Sequence, residues 1–306
     1  MLDVIRSHPG VCDVELLRGA KADPARAPAL LFEVAHGATR ASDFADLRAA
    51  LRGPFARDLQ DFFFVNTDVG APELARAVAA RCTAALPSLS ALVVRCRIPR
   101  TFVDCNRRIE ETTVPSASRA DEPTPGLPPW ITDLEDKRLL LHRYATYRQI
   151  VAAAFAAVCG NGGYGLCVHS YAPRSIEVPI DADIVAHLRA AYAPGRLEQW
   201  PLRSPVDLIT HDPDGRELAA AALAARAAAE FAAAGFAVAR NQAYSLHPVT
   251  LAHEFATRYH DRTLCLEVRR DLLVGDFTPF VELIPADDRV DRAAAPLANA
   301  LLAALA

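Results

Sequence analysis

The chain has 306 residues, of which 52% are hydrophobic and 23% charged, with a formal net charge of -4. That length and apolar content supply a sizeable core and exclude general disorder. The slight acidity excludes a nucleic-acid footprint spread over the surface. No apolar window is long enough to span a bilayer, because the alanine-rich stretch 217–234 is interrupted by Glu217, Arg226 and Glu230. The start, Met1-Leu-Asp-Val-Ile-Arg-Ser-His-Pro, lacks the basic and apolar regions of a signal peptide. The 7 cysteines are odd in number and none has C-x-x-C spacing. Reduced, mostly buried thiols in a cytoplasmic protein are the expectation.

In chain order, residues 11–17 alternate loosely, as an edge strand does. Ala29-Leu-Leu-Phe-Glu-Val-Ala35 reads as a buried strand ending in His36-Gly37. A helical pattern follows from Ser42, which is the expected N-cap. Phe62-Phe-Phe-Val65 reads as a short strand ending in Asn66-Thr-Asp68, and Pro72 and Glu73 then open a helix to Ala85. Ala91-Leu-Val-Val94 is the next strand. Residues 111–132 carry five prolines and read as an irregular loop, of the kind that serves as a lid over a site. Residues 134–158 form a long helix stopped by Asn161-Gly-Gly163, which lacks the context of a phosphate loop. Tyr164-Gly-Leu-Cys-Val168 is a strand ending in His169-Ser170. Helices are expected over 183–192, 216–234, 251–259 and 290–305, and strands over 206–210 and 263–268. Alternating strands and helices predict an α/β fold, with a mostly parallel or mixed sheet and helices on both faces. No repeat or linker divides residues 1–306, so one domain is expected.

Four strands are thus expected to end in His36, Asp68, His169 and Glu267. Sites in such sheets gather beyond the carboxyl ends of the strands. Two imidazoles and a carboxylate suit a catalytic zinc with one position left open, and equally iron or manganese. The fourth group, a carboxylate, could act as general base. The stretch Arg100-Thr-Phe-Val-Asp-Cys-Asn-Arg107 adds a guanidinium and an amide side by side, able to grip a carboxylate. A second arginine stands ready to polarise a carbonyl. Asp104 is read as structural, orienting one of the neighbouring arginines. Ser170 has no base that would make it a nucleophile. His247, His253 and His260 are read as surface or helix-end residues.

Read together, these segments resemble the N-formylglutamate amidohydrolases, a family similar in fold to zinc carboxypeptidases. The matching pieces are Val34-Ala-His-Gly37, Asn66-Thr-Asp68, Arg100-Thr-Phe-Val-Asp-Cys-Asn-Arg107, Cys167-Val-His-Ser170 and Cys265-Leu-Glu-Val268. They occur in the family's order across nearly the whole chain. The resemblance implies His36, Asp68 and His169 as metal ligands, Glu267 as general base and proton donor, and Arg100 as the carbonyl-polarising residue. It implies Asn106 and Arg107 as the carboxylate clamp, with Asn241 and Tyr244 at the substrate. There are departures: the family's Tyr-His reads Tyr147-Arg148 here, and the segment Asn241-Gln-Ala-Tyr-Ser-Leu-His247 lacks the family's glycines. Tyr244 is therefore read either as a mobile pocket residue or as an ordinary loop aromatic.

The expected function is hydrolysis of the amide bond of an N-formyl or N-acyl amino acid by a zinc-activated water, in a cytoplasmic enzyme of amino-acid metabolism. Its expected partner is a small carboxylated amide, with no nucleic acid and no membrane. The alternatives are a carboxypeptidase-like peptidase and a non-catalytic binder of carboxylated ligands that has kept the pocket.

Overall fold

In the computed structural model, which describes residues 4–119 and 122–305, the chain begins with β1 (Cys12–Arg18), β2 (Leu30–Val34), α1 (Ala41–Ala50), α2 (Leu59–Asn66), α3 (Ala71–Ala85) and β3 (Ser90–Cys96). It continues through α4 (Leu134–Val158), β4 (Tyr164–Tyr171), α5 (Ile184–Ala191), β5 (Val206–Ile209), α6 (Ala221–Ala233) and β6 (Val238–Arg240). Then come α7 (Leu251–Arg258), β7 (Thr263–Arg269), the single turn α8 (Asp271–Val274) and α9 (Asp287–Leu305).

The strands form one sheet in the order β1-β3-β2-β4-β7-β5-β6. β3, β2, β4 and β7 run parallel. β1 is antiparallel to β3, while β5 and its parallel neighbour β6 run opposite to β7. The parallel strands are near-continuous apolar runs because both faces are covered. With side chains alternating at period two, each strand feeds two cores. Phe32, Val34, Leu166, Val168 and Leu266 join a core with α3, α6 and α9. Leu31, Cys167 and Cys265 join the other, with α1, α2, α4, α5 and α7. Continuing that alternation puts Glu33, His169 and Glu267 on the second face. The result is a mixed sheet with helices on both faces, the α/β arrangement that the sequence leads one to expect.

Several elements differ from the reading of the sequence. Residues 62–65 are helical, inside α2, and Asp68 follows a helix rather than a strand. The buried set Leu59, Phe62 and Phe63 has the i, i+3, i+4 spacing of a helix face, and a short apolar run cannot separate the two cases by periodicity. Ser42 lies inside α1, whose N-cap is Arg40. The carboxylate of Asp43 instead accepts the backbone N–H groups of Thr39 and Arg40. α6 starts at Ala221 because residues 216–220 are drawn off: Leu218 and Ala220 donate to the carbonyls of Thr210 and Thr263. β6 and α8 were not legible in the sequence. All seven cysteines are free and buried. Among the described residues no helix is long and apolar enough to cross a membrane.

The turn that delivers Asp68 into the second face depends on Gly70. Its φ is +86°, it caps α3, and a Cβ added there would stand 2.7 Å from Cβ of Leu273. Gly70→Ala should therefore destabilise the protein by about 2 kcal/mol, the usual cost of a non-glycine residue held in that region. An unchanged midpoint in urea titration would show that the turn relaxes freely.

Candidate metal centre and substrate cavity

β2 and β4 deliver the two histidines, and β7 delivers Glu267 beside the second, since His169 and Glu267 are register partners. Asp68 arrives from the turn between α2 and α3. That turn is pinned on several sides. Thr67 Oγ1 donates to Ala38 O, Asp68 N–H to His36 O, and Ser170 Oγ to Val69 O at 2.8 Å. The Ser170 hydroxyl is thus a buried brace.

The three side chains converge. Asp68 Oδ2 lies 3.3 Å from His36 Nδ1 and 2.9 Å from His169 Nδ1. One ligand atom from each residue lies within 4.8 Å of the others, and all three side chains are buried. Among the described residues no other group of His, Cys, Asp and Glu is so arranged. Burial alone would raise the Asp68 pKa, but the two imidazoles outweigh it and hold the carboxyl below its usual range. His169 is the reverse: burial opposes its charge, yet the hydrogen bond it donates to the Asp68 carboxylate holds its pKa well above the ordinary value.

Whether these residues suit a metal ion is tested by the tautomers. His36 Nε2 is 2.8 Å from Asp104 Oδ1. A proton on Nε2 donated to that carboxylate leaves the Nδ1 lone pair free to face an ion, the arrangement common to metal-binding histidines. Both Nδ1 atoms and Asp68 Oδ2 point to one place, and the donor set fits zinc and neighbouring divalent ions.

Glu267 is half-buried, and its buried Oε2 has no hydrogen-bond partner among the described residues. Burial pushes its pKa up; His169 opposes this and Asp68 adds to it, leaving a value of about 7. Behind the ligands, Glu33 is also buried and accepts the Tyr147 hydroxyl.

The stretch Arg100–Arg107 lines the cavity, and its arginines are heavily engaged within the protein. Arg100 Nε donates to Asp104 Oδ2 at 3.0 Å, and its Nη2 to Thr124 Oγ1 at 2.9 Å. Arg107 donates through Nε to Thr124 O and through Nη2 to Thr124 Oγ1, at 2.8 and 2.6 Å. Asp104 does orient the arginines and, beyond that reading, also holds His36. Burial raises the Asp104 pKa, but Arg107, Arg100 and His36 together hold it well below the carboxylate range. Asn106 donates its N–H to Asp104 Oδ1.

Arg100, Asn106, Arg107, Tyr244 and Glu267 line one cavity with His36, Asp68 and His169. Asn241 does not line it, which corrects the expectation for that residue. Its φ is +52°, its Oδ1 accepts the N–H groups of Thr210 and His211, and its Nδ2 faces Thr210 Oγ1 and His211 Nδ1. The amide is consumed in holding its own loop. Tyr244 is exposed, and its hydroxyl accepts from Arg203 Nη2 at 3.1 Å. His247 lines the cavity, with Nδ1 accepting from Val249 N–H. The 111–132 loop contributes Arg119, Glu122, Pro123 and Thr124, while Ala120 and Asp121 lie outside the described residues.

Arg270 escaped the sequence reading. It is buried, donates to the carbonyls of Ser170 and Val65, and reaches Asp68 Oδ1 at 3.5 Å. Its place just past β7, at the edge that holds Glu267, was the available signal. Thr124 had none, since nothing in a proline-rich loop marks one threonine as the partner of two arginines.

A mixed seven-stranded sheet covered by helices on both faces, with this buried His-Asp-His group at its carboxyl edge, defines an α/β protein with a candidate metal centre. The family model for N-formylglutamate amidohydrolase matches residues 29–274, and the chain belongs to that family. It is accordingly a hydrolase of amides. Its fold is similar to that of the crystal structure of N-formylglutamate amidohydrolase from Ralstonia eutropha JMP134, with a TM-score of 0.56 at 17% identity, covering 95% of this chain and 96% of that one. It is likewise similar to a gene product from Agrobacterium tumefaciens, with a TM-score of 0.54 at 18% identity, covering 98% of each chain. No curated protein matches the sequence.

The burial of Glu267 has a measurable consequence. An unfolded glutamate titrates at 4.5, whereas folded Glu267 keeps its proton to about 7. The native state therefore binds the extra proton between those values, and the stability contributed below 4.5 is lost as pH rises through about 7. Glu267→Gln abolishes that loss. In chelator-treated protein, its stability relative to the native chain should grow between about pH 5 and pH 8, by at most about 3 kcal/mol. A difference in urea-unfolding free energy that ignores pH would mean that Glu267 titrates as an exposed carboxylate.

Proposed function

We propose that the protein hydrolyses the amide bond of an N-formyl or N-acyl amino acid with the help of a divalent metal ion, zinc in the first instance. The observation that carries this reading is the meeting of His36 Nδ1, Asp68 Oδ2 and His169 Nδ1 in one cavity with Glu267, Arg100, Asn106 and Arg107. Asp68 and the two histidines would hold the ion. Such an ion supplies a Lewis acid and makes a water acidic enough to act as nucleophile near neutral pH.

The chain's own groups do the rest. Glu267 accepts a proton from the attacking water and returns it to the leaving amine. A pKa near neutrality, which burial supports, suits a group that must both take and give. Arg100, held by Asp104 and Thr124, keeps a guanidinium at the cavity wall for the carbonyl oxygen as it gains negative charge. Asn106 and Arg107 receive the substrate carboxylate: Thr124 and the Asn106 carbonyl fix the plane of the Arg107 fork, which keeps one further N–H on each terminal nitrogen to donate. Tyr244, on the arm of Arg203, is placed to follow the substrate in. The 111–132 loop acts as a lid that excludes water.

Purified protein should carry close to one equivalent of metal, and chelation should abolish hydrolysis of N-formyl and N-acyl amino acids until zinc is restored. Full activity of metal-free protein would sink the reading. Glu267→Gln should keep the metal yet lower kcat by roughly two orders of magnitude or more. Arg107→Lys should depress kcat/KM for the carboxylate substrate and do little for the neutral amide or ester of the same compound. Equal losses on both would remove the clamp.

A further inference from the structure

The cavity is larger than a formylated amino acid requires. It encloses about 750 Å³, towards the upper end of the roughly 300–1,000 Å³ found for sites that take drug-sized ligands. A formyl group places only its own carbon on the acyl side of the scissile bond.

The lining is divided by chemistry. One part is the polar set already described. The other is apolar: Phe62 and Val65 from α2, Ile176, Val178 and Ile180 from the segment before α5, and Leu188 from α5. In that segment Ile176, Val178 and Ile180 are half-buried and alternate with the exposed Glu177 and Pro179, and Glu177 also reaches the cavity between the aliphatic side chains. All three pack against the core of the second face while also lining the cavity. Ile180 is fixed by a backbone bridge to Ser118 of the 111–132 loop.

The position of this wall relative to the triad follows from its connections. Val65 stands three residues before Asp68, and Arg270 bonds both Val65 O and Asp68 Oδ1. α5 packs on α2. The wall thus reaches the centre at Asp68, and through the Ile180–Ser118 bridge it also adjoins the 111–132 loop that holds Arg107. Asn106 and Arg107 belong with Asp104, and His36 meets Asp68 and Asp104 through its two different nitrogens. A substrate with its carboxylate on Asn106 and Arg107 and its amide at the triad has its acyl group left to meet the wall.

We infer that the wall is an acyl subsite, and that the preferred substrates are amino acids N-acylated with an apolar chain of several carbons. The inference rests on the amidohydrolase reading above and names its substrate class. The reaction adds water across the amide. A C–O bond forms at the acyl carbon, the C–N bond breaks, the amine leaves with the proton, and the products are a free carboxylic acid and the amino acid.

Each methylene moved from water to an apolar wall is worth about fourfold in binding. Because the chain touches no reacting atom, that gain belongs to ground state and transition state alike and should fall mainly on KM. The experiment measures kcat/KM of the metal-loaded protein for the N-formyl, N-acetyl, N-hexanoyl and N-decanoyl forms of one amino acid. From acetyl to hexanoyl it should rise at least about tenfold. Val178→Glu should pull the hexanoyl-to-acetyl ratio down towards one, and the milder Val178→Ser should lower it in the same direction. A ratio that is flat or falls with chain length, in protein that hydrolyses the short substrates, overturns the acyl subsite and leaves the amidohydrolase reading standing. Hydrolysis at no chain length overturns the amidohydrolase reading instead. The wall is then judged by calorimetry, where an N-decanoyl amino acid binding no tighter than its N-acetyl counterpart overturns the subsite as well.

Discussion

One carboxylate oxygen, Asp68 Oδ2, sits between Nδ1 of His36 and Nδ1 of His169, and the carboxyl edge of the sheet is arranged around keeping it there. A buried carboxylate is costly unless its neighbours replace the water it has lost. Here the imidazoles take one oxygen and the buried guanidinium of Arg270 approaches the other. Arg270 in turn spends its remaining donors on the carbonyls of Val65 and Ser170, which tie the end of α2 to the end of β4. The same contacts that satisfy the charge therefore also set the distance between the elements that carry the ligands.

From this centre the polar structure extends in one direction through His36. Its second nitrogen reaches Asp104, Asp104 holds Arg100, and Thr124 holds both Arg100 and Arg107. The candidate ligands, the candidate clamp and the 111–132 loop are thereby one hydrogen-bonded chain. Networks of this kind are rigid when every member is satisfied. A movement of the loop at Thr124 is consequently felt by the guanidinium groups that face the cavity. The apolar wall adjoins this network at two places, the last turn of α2 and the Ser118–Ile180 bridge to the 111–132 loop.

Much of this was legible before the fold was seen, and the misses have physical causes. Residues 134–158 could be read to the residue because a long periodic helix ends sharply at glycines. The apolar runs at β2, β4 and β7 declared themselves because a doubly covered parallel strand has no polar face to disguise it. Phe62 to Val65 misled because four apolar residues fit a buried helix face as well as a strand. Asp68 was nevertheless singled out, because the polar residues that follow an apolar element at this edge carry the same information whichever element precedes them. Asn241 misled in the opposite sense: motif position pointed to the cavity, whereas a left-handed backbone at that residue turned its amide onto Thr210 and His211.

The sequence alone determined the kinds of groups available, the α/β alternation that sends chain ends to a common edge, and the spacing of Arg100, Asp104, Asn106 and Arg107. These are local properties, carried by periodicity and by residues close together in the chain. The tertiary structure alone decided that Asp104 serves His36 as well as the arginines, that Arg270 and Thr124 complete the arrangement, and that α2 and α5 line the cavity with aliphatic side chains. Those facts depend on strand order, on β4–β7 register and on which buried charge finds which partner, and each joins residues that stand up to about two hundred positions apart in the chain.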